Sequence, residues 1–203
     1  MRDAARIRDM SEDQIQVTIR GVRPLIMHNG QLADPTNQWT KNLKELTGKP
    51  SKDKTEQDHY LIARCEWFGG LYLDEETSTY PVIPADNIQR MIILGARKSK
   101  KGKQAEAGVD VFDEAMLGYD GPRSLDEMWS SGKFQIVKGC KVKGSRVMRC
   151  RPRFQVWAAK IVIPFAPDII DRKDVLRALE EAGRTVGLGD WRPRYGRFEV
   201  QTK

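Results

Sequence analysis

Residues 187 to 200 read GLGDWRPRYGRFEV, and they bring together three residue types that suit a polyanion. Arg192, Arg194 and Arg197 carry fork-shaped donors matched to phosphate oxygens. Trp191 and Tyr195 offer ring faces on which bases stack. Gly187, Gly189 and Gly196 permit backbone conformations and close approaches that other residues resist. The stretch shares two glycines with the dinucleotide fingerprint GxGxxG, but Arg192 stands where the third belongs. It also follows a helix and enters a strand, the reverse of the order that aims a helix N-terminus at a pyrophosphate. No GKS or GKT occurs in the chain, which removes a Walker loop. The plainer reading of the glycines is punctuation: Gly187 ending a helix, Gly189 in a turn, Gly196 at a bulge.

Further basic residues extend this chemistry. The chain holds 35 Lys and Arg against 28 Asp and Glu, a net charge of +7. Residues 133 to 160 contain nine basic residues and no acid, while acids gather between Glu106 and Glu127. Such polarity favours a polyanionic partner. Lys141, Lys143, Arg149, Arg151 and Arg153 are all odd-numbered and would share one face of a regular strand, with Arg146 beside them. Arg97, Lys98 and Lys101 form a second cluster at the end of a helix. An ordinary solvated face is the alternative for both.

Catalytic candidates are few. General-base attack through a ribose 2′-OH needs one tuned group within reach, and His28 or Asp34, after the first strand, could supply it. His28 beside Asn-Gly and Asp34 before Pro35 are also ordinary turn residues. The adjacent pairs Glu75-Glu76 and Glu180-Glu181 cannot both face one site. Cys65, Cys140 and Cys150 lack CxxC spacing and have only His28 and His59 as histidine companions, so neither a metal site nor a disulfide framework is expected. No cofactor is indicated. The N-terminus has no signal-peptide core and no stretch is apolar enough to span a membrane, so a soluble, cytoplasmic protein is expected.

The elements that must position these residues follow from periodicity. Gln14 to Met27 opens with Ile15, Val17 and Ile19 in alternation, a half-buried strand. Residues 29 to 78 begin polar and broken, with a short helix over Trp39 to Leu46, and continue into an aromatic segment, His59 to Leu73, ending in Gly69-Gly70. In YPVIPADNIQRMI two prolines bracket Val82-Ile83, Asp86 or Asn87 serves as cap, and Ile88, Met91, Ile92 and Gly95 share a helix face. Residues 100 to 132 read as an acidic loop with one helical turn at Ser124 to Trp129. Strands are expected over Phe134 to Lys143 and Ser145 to Val162, with the apolar run Gln155 to Phe165 central. Asp171, with Asp174 in a capping box, starts a helix that Gly187 ends, and Tyr195 to Gln201 closes the chain as a strand. The order is that of a single α+β domain over residues 1 to 203. Its core is a modified ferredoxin-like (RRM-like) βαββαβ arrangement, with 29–78 and 100–132 as large excursions.

Two of these segments carry a family likeness. The apolar helix followed by GLGDWRPRYGRFEV resembles the C-terminal glycine-rich loop of the RAMP superfamily, the RNA-binding subunits of CRISPR effector complexes. YPVIPADNIQRMI is similar to that family's entry into its first helix, although Ala85 and Asp86 replace its usual glycine and serine and Asp190 adds an acid to the loop. The resemblance covers about half of the chain. It implies a non-catalytic subunit that binds single-stranded RNA, or DNA, and repeats head to tail along the strand with other effector subunits as possible neighbours. One excursion would serve as a thumb. The basic residues around 141–153 and 97–101 would line the groove. Some family members cleave RNA, which keeps an endoribonuclease using His28 or Asp34 as an alternative. A third is a structural protein whose basic face docks an acidic partner.

Overall fold

The computed structural model describes residues 13–201 apart from Lys143. The elements are mixed α and β, and both sheets are antiparallel. Strand β1 (Gln14–Gly21) buries Ile15, Val17 and Ile19 on one face, the alternation anticipated for it. It ends at Gly21, where a Cβ would lie 2.1 Å from the Trp157 indole. The chain then leaves the sheet, and Leu25–Ile26 form β2 in a second one.

The larger sheet also takes β3 (Val82–Ile83), β4 (Ala115–Tyr119), β7 (Trp157–Pro164) and β8 (Phe198–Gln201), in the order β3-β4-β7-β1-β8. The apolar strand β7 is central, as its composition suggests. Two long amphipathic helices, α3 (Ala85–Lys98) and α6 (Arg172–Thr185), pack against one another and the sheet. Their facing stripes are Ile88, Met91, Ile92 and Ala96 against Val175, Ala178, Leu179 and Ala182, all 1% exposed or less. Each large side chain so buried contributes about 1.5–3 kcal/mol. The helices meet closely because position 95 is glycine: a Cβ there would sit 2.0 Å from the Ala178 carbonyl oxygen.

Several expectations need correction. Residues 100–132 are not an excursion: besides α4 (Gly102–Gly108) and α5 (Leu125–Ser130) they supply β4, which pairs with both β3 and β7. Residues 145–162 are not one strand. A break at 155–156 separates β7 from β6 (Ser145–Phe154), and β6 turns back on β5 (Gln135–Val142) and joins β2 in the order β2-β6-β5. The 29–78 segment holds α1 (Gln38–Gly48), on which no residue is buried, and α2 (Glu56–Gly70), which is built into the core through Trp67. The Trp67 indole donates to the Phe134 carbonyl at 2.7 Å. Helix α3 starts one residue before the expected cap, with Pro84 at its N-cap and no side-chain capping bond. Asp171 occupies the N-cap of α6 without bonding through its side chain, and Asp174 instead pairs with Lys101 at 3.2 Å.

Candidate functional site

The glycine loop leaves α6 through Gly187, whose N–H reaches back to the Ala182 carbonyl at 2.8 Å and whose φ is +76°. Gly189 (φ +74°) and Gly196 (φ +69°) also hold the left-handed conformation. The loop is fastened to β2 and the residues before it: Asp190 N–H donates to Ile26 O at 2.7 Å and Gly196 N–H to Pro24 O at 2.8 Å. A Cβ on Gly189 would lie 2.2 Å from Ile26 O, and one on Gly196 1.8 Å from Leu188 O. The close backbone approach that the sequence suggested toward phosphate is therefore spent on the protein's own chain. The glycines set the loop's path, and any ligand meets its side chains.

Those side chains divide by exposure. Arg192 and Arg194 are exposed, whereas Arg197 donates from Nε to the Pro193 carbonyl at 2.8 Å and braces the turn. Trp191 (φ +54°) and Tyr195 lie with ring centroids 6.0 Å apart. The ammonium of Lys138 on β5 sits 4.6 Å from the Tyr195 ring centre and 5.7 Å from that of Trp191, and it donates to the Tyr195 hydroxyl. One side of the aromatic pair is thus already occupied by a cation from the hairpin. Asp190 accepts from Trp191 N–H at 2.9 Å, and its other carboxylate oxygen lies 3.5 Å from Nε of Arg151.

Beneath the loop is a cavity of about 200 Å³. His28, Tyr72, Asn87, Arg90, Asp190 and Arg192 line it, over Leu188 and Gly189. Four stretches of chain meet here: the segment after β2, that after α2, the first two turns of α3, and the first half of the glycine loop. Neither Arg90 nor Arg192 makes an ion pair among the described residues. Loss of hydration, and after it the charge of Arg151, hold the His28 imidazole below its ordinary pKa of 6.5. It is therefore mostly neutral at pH 7. Tyr72 donates to the His28 carbonyl at 3.0 Å and fixes that segment. Arg90 was not singled out from the sequence and Asn87 only as a helix cap, although both lie within YPVIPADNIQRMI; an exposed arginine on an amphipathic helix carries no signal until the loop is placed beside it.

The remaining basic candidates do not form one groove. The β5–β6 turn pairs Lys141 with Arg146 and Lys138 with Arg149, so Lys141 and Arg146 face away from Arg149, Arg151 and Arg153. Lys143 lies outside the described residues. Arg149 is committed to the buried Glu66 at 2.5 Å, whose other oxygen accepts Cys150 N–H at 2.7 Å. Arg151 is buried, and Arg153 donates to Lys133 O at 3.0 Å. Arg97 and Lys98 are exposed at the far end of α3 from the cavity, about 12 Å of helix beyond Arg90. Lys101 is neutralised by Asp174. Asp34 is a turn residue whose carboxylate accepts Thr36 N–H at 2.8 Å and the Thr36 hydroxyl at 2.7 Å.

The acids concentrate elsewhere. Asp74, Glu75, Glu76, Asp86, Asp113 and Glu114 surround a groove that also exposes Phe112 and Met116. Among the described residues no three His, Cys, Asp or Glu side chains are grouped to hold a metal ion, and no helix is long and apolar enough to cross a membrane. The sheet face turned away from α3 and α6 shows Gln16, Arg20, Met116, Lys160 and Val162, and among the described residues its strands place no aromatic ring there.

Comparison with known protein families finds no matching model, and comparison with curated proteins finds no match.

Proposed function

We propose that this protein binds single-stranded nucleic acid, RNA in preference to DNA, as a non-catalytic subunit of RAMP type that repeats along the strand. One observation carries the reading: Arg90 and Arg192, from separate elements, converge on a cavity where, among the described residues, neither has a counter-ion and the one lining acid, Asp190, is offset by Arg151. Arg194, two residues along the loop from Arg192, is exposed as well, with its guanidinium 6.0 Å from the Tyr195 ring centre. The order β4-β7-β1-β8 with α3 and α6 against the sheet agrees with a ferredoxin-like core, in which β3, α1, α2 and the β5–β6 hairpin are additions. The preference for RNA and the repeating assembly rest on the family resemblance, and the acidic groove gives the molecule a second, oppositely charged surface for a neighbouring copy.

Binding is then governed by phosphate contacts and falls steeply with salt, by about 0.7 logarithmic units of affinity per decade of salt for each phosphate neutralised. Replacing Arg192 and Arg194 with alanine weakens binding to all sequences and flattens that dependence. Fluorescence anisotropy with labelled single-stranded RNA and DNA across a salt series measures both, and unchanged affinity in the double variant overturns the reading. Native mass measurement of the mixture reports assembly as a ladder of masses.

His28 supports a second reading, since a neutral imidazole at the cavity is a general base in reach of a bound ribose. Asp34, engaged with Thr36, lends no such support. Incubation of labelled RNA with the wild type and with His28→Ala separates an endoribonuclease from a binding protein.

A further inference from the structure

We infer that the cavity under the glycine loop receives a terminal phosphomonoester, the end of a strand, in preference to an internal phosphodiester. The inference rests on the nucleic-acid reading above and specifies which part of the strand this site selects.

Size is the first argument. At about 200 Å³ the cavity lies below the roughly 300 Å³ at which pockets for whole drug-sized ligands begin, so it has room for a phosphate and part of one attached sugar but not for two flanking nucleotides. Leu188, 1% exposed, closes the floor. An internal phosphate would have to bring both flanking nucleotides through the same mouth, whereas a chain end needs to bring one.

Charge is the second. The lining contributes Arg90 and Arg192, while Asp190 is offset by Arg151 and His28 is mostly neutral at pH 7, which leaves a charge of +2. A phosphomonoester carries about −1.5 to −2 at that pH and a diester −1, so the monoester matches the site and the diester leaves it half neutralised. Three free oxygens on the monoester also suit two guanidinium forks approaching from different elements, with the Asn87 amide as a further donor.

The back of the site is the third. The Arg151 side chain is 10% exposed, and its Nε has no hydrogen-bond partner among the described residues. A buried guanidinium held in this way against Asp190 is costly unless the region is electrostatically organised, and its position removes the one charge that would repel a dianion.

The experiment uses the full chain and one short oligoribonucleotide in three forms: 5′-phosphorylated, 3′-phosphorylated, and hydroxyl at both ends. Competition against a labelled internal probe is read by anisotropy. For the wild type, one phosphorylated form competes about tenfold better than the hydroxyl form, the equivalent of one charge-assisted contact. Arg90→Ala reduces that ratio to near one. Arg194→Ala, outside the cavity, lowers affinity for all three forms and preserves the ratio. Arg90 is exposed on a helix surface, so the variant retains the fold, which circular dichroism verifies. Equal competition by the three forms in the wild type overturns the inference and leaves strand binding intact. Absence of binding by any form overturns both.

Discussion

Nε of Arg151 on the central strand of the small sheet lies 3.5 Å from Oδ2 of Asp190 in the glycine loop. This contact joins the β5–β6–β2 sheet to the cavity, and it explains how an acid persists among arginines. Because Asp190 is only partly exposed and Arg151 buried, each is costly to leave alone. Asp190→Asn keeps an oxygen to accept Trp191 N–H but unmasks Arg151. Affinity for single-stranded RNA at low salt is expected to rise roughly threefold. Unfolding free energy is expected to fall by about 1 kcal/mol or more. Anisotropy and urea denaturation on the same preparations check the two opposed effects.

The loop's glycines are predicted to matter for folding before they matter for binding. Gly189→Ala and Gly196→Ala each force a Cβ into a left-handed backbone and within about 2 Å of a carbonyl oxygen. A loss of about 2 kcal/mol or more is expected for each. Gly30→Ala, at a position with open space around it, serves as the neutral comparison. If the glycine variants instead keep full stability and lose only affinity, the loop's glycines serve the ligand.

Glu66 is the anchor of the small sheet's open edge. It is 2% exposed, takes Cys150 N–H at 2.7 Å and holds Arg149 at 2.5 Å. Glu66→Ala leaves a strand N–H unsatisfied and a guanidinium without its counter-ion, with an expected cost of about 3 kcal/mol. The double variant Glu66→Ala, Arg149→Ala is expected to recover part of that loss. Thermal denaturation of the single and double variants forms the cycle.

Much of the main sheet was legible because its code is local. The alternation of Ile15, Val17 and Ile19 and the stripes of α3 and α6 need no distant information. Strand β4 was not legible: of AMLGY only Ala115 and Leu117 are buried, and acids precede it on the chain, so its pairing with β7 is decided by contacts some 40 residues away. The basic residues misled for a related reason. Arg149 and Arg151 read as phosphate ligands until Glu66 and Asp190, remote in sequence, are seen beside them. Conversely Arg90 carries no signal in the sequence, because one arginine on an amphipathic helix becomes informative only when folding sets Arg192 across a cavity from it.

The pH dependence of binding follows from His28. In the free protein, lost hydration and the charge of Arg151 lower its pKa from 6.5, Arg149 acting weakly in the same sense and Asp190 and Glu66 opposing. Folding therefore favours the neutral imidazole. Its contribution to stability is complete above the unfolded value of 6.5 and is lost as pH falls through the lower folded value. A bound phosphate acts oppositely, stabilising the imidazolium and raising its pKa, so the complex takes up a proton. Affinity for RNA is expected to increase as pH is lowered through the bound-state pKa and to level off below that of the free protein, while stability of the free protein declines as pH falls from 6.5 through its lower folded value. An oligoribonucleotide with hydroxyl ends keeps the ligand's own phosphate titration out of the measurement. Anisotropy between about pH 5 and pH 8 records the trend, and His28→Asn, which keeps a polar side chain but cannot gain charge, is expected to abolish it. A slope that survives in His28→Asn assigns the proton to another group and removes His28 from the site.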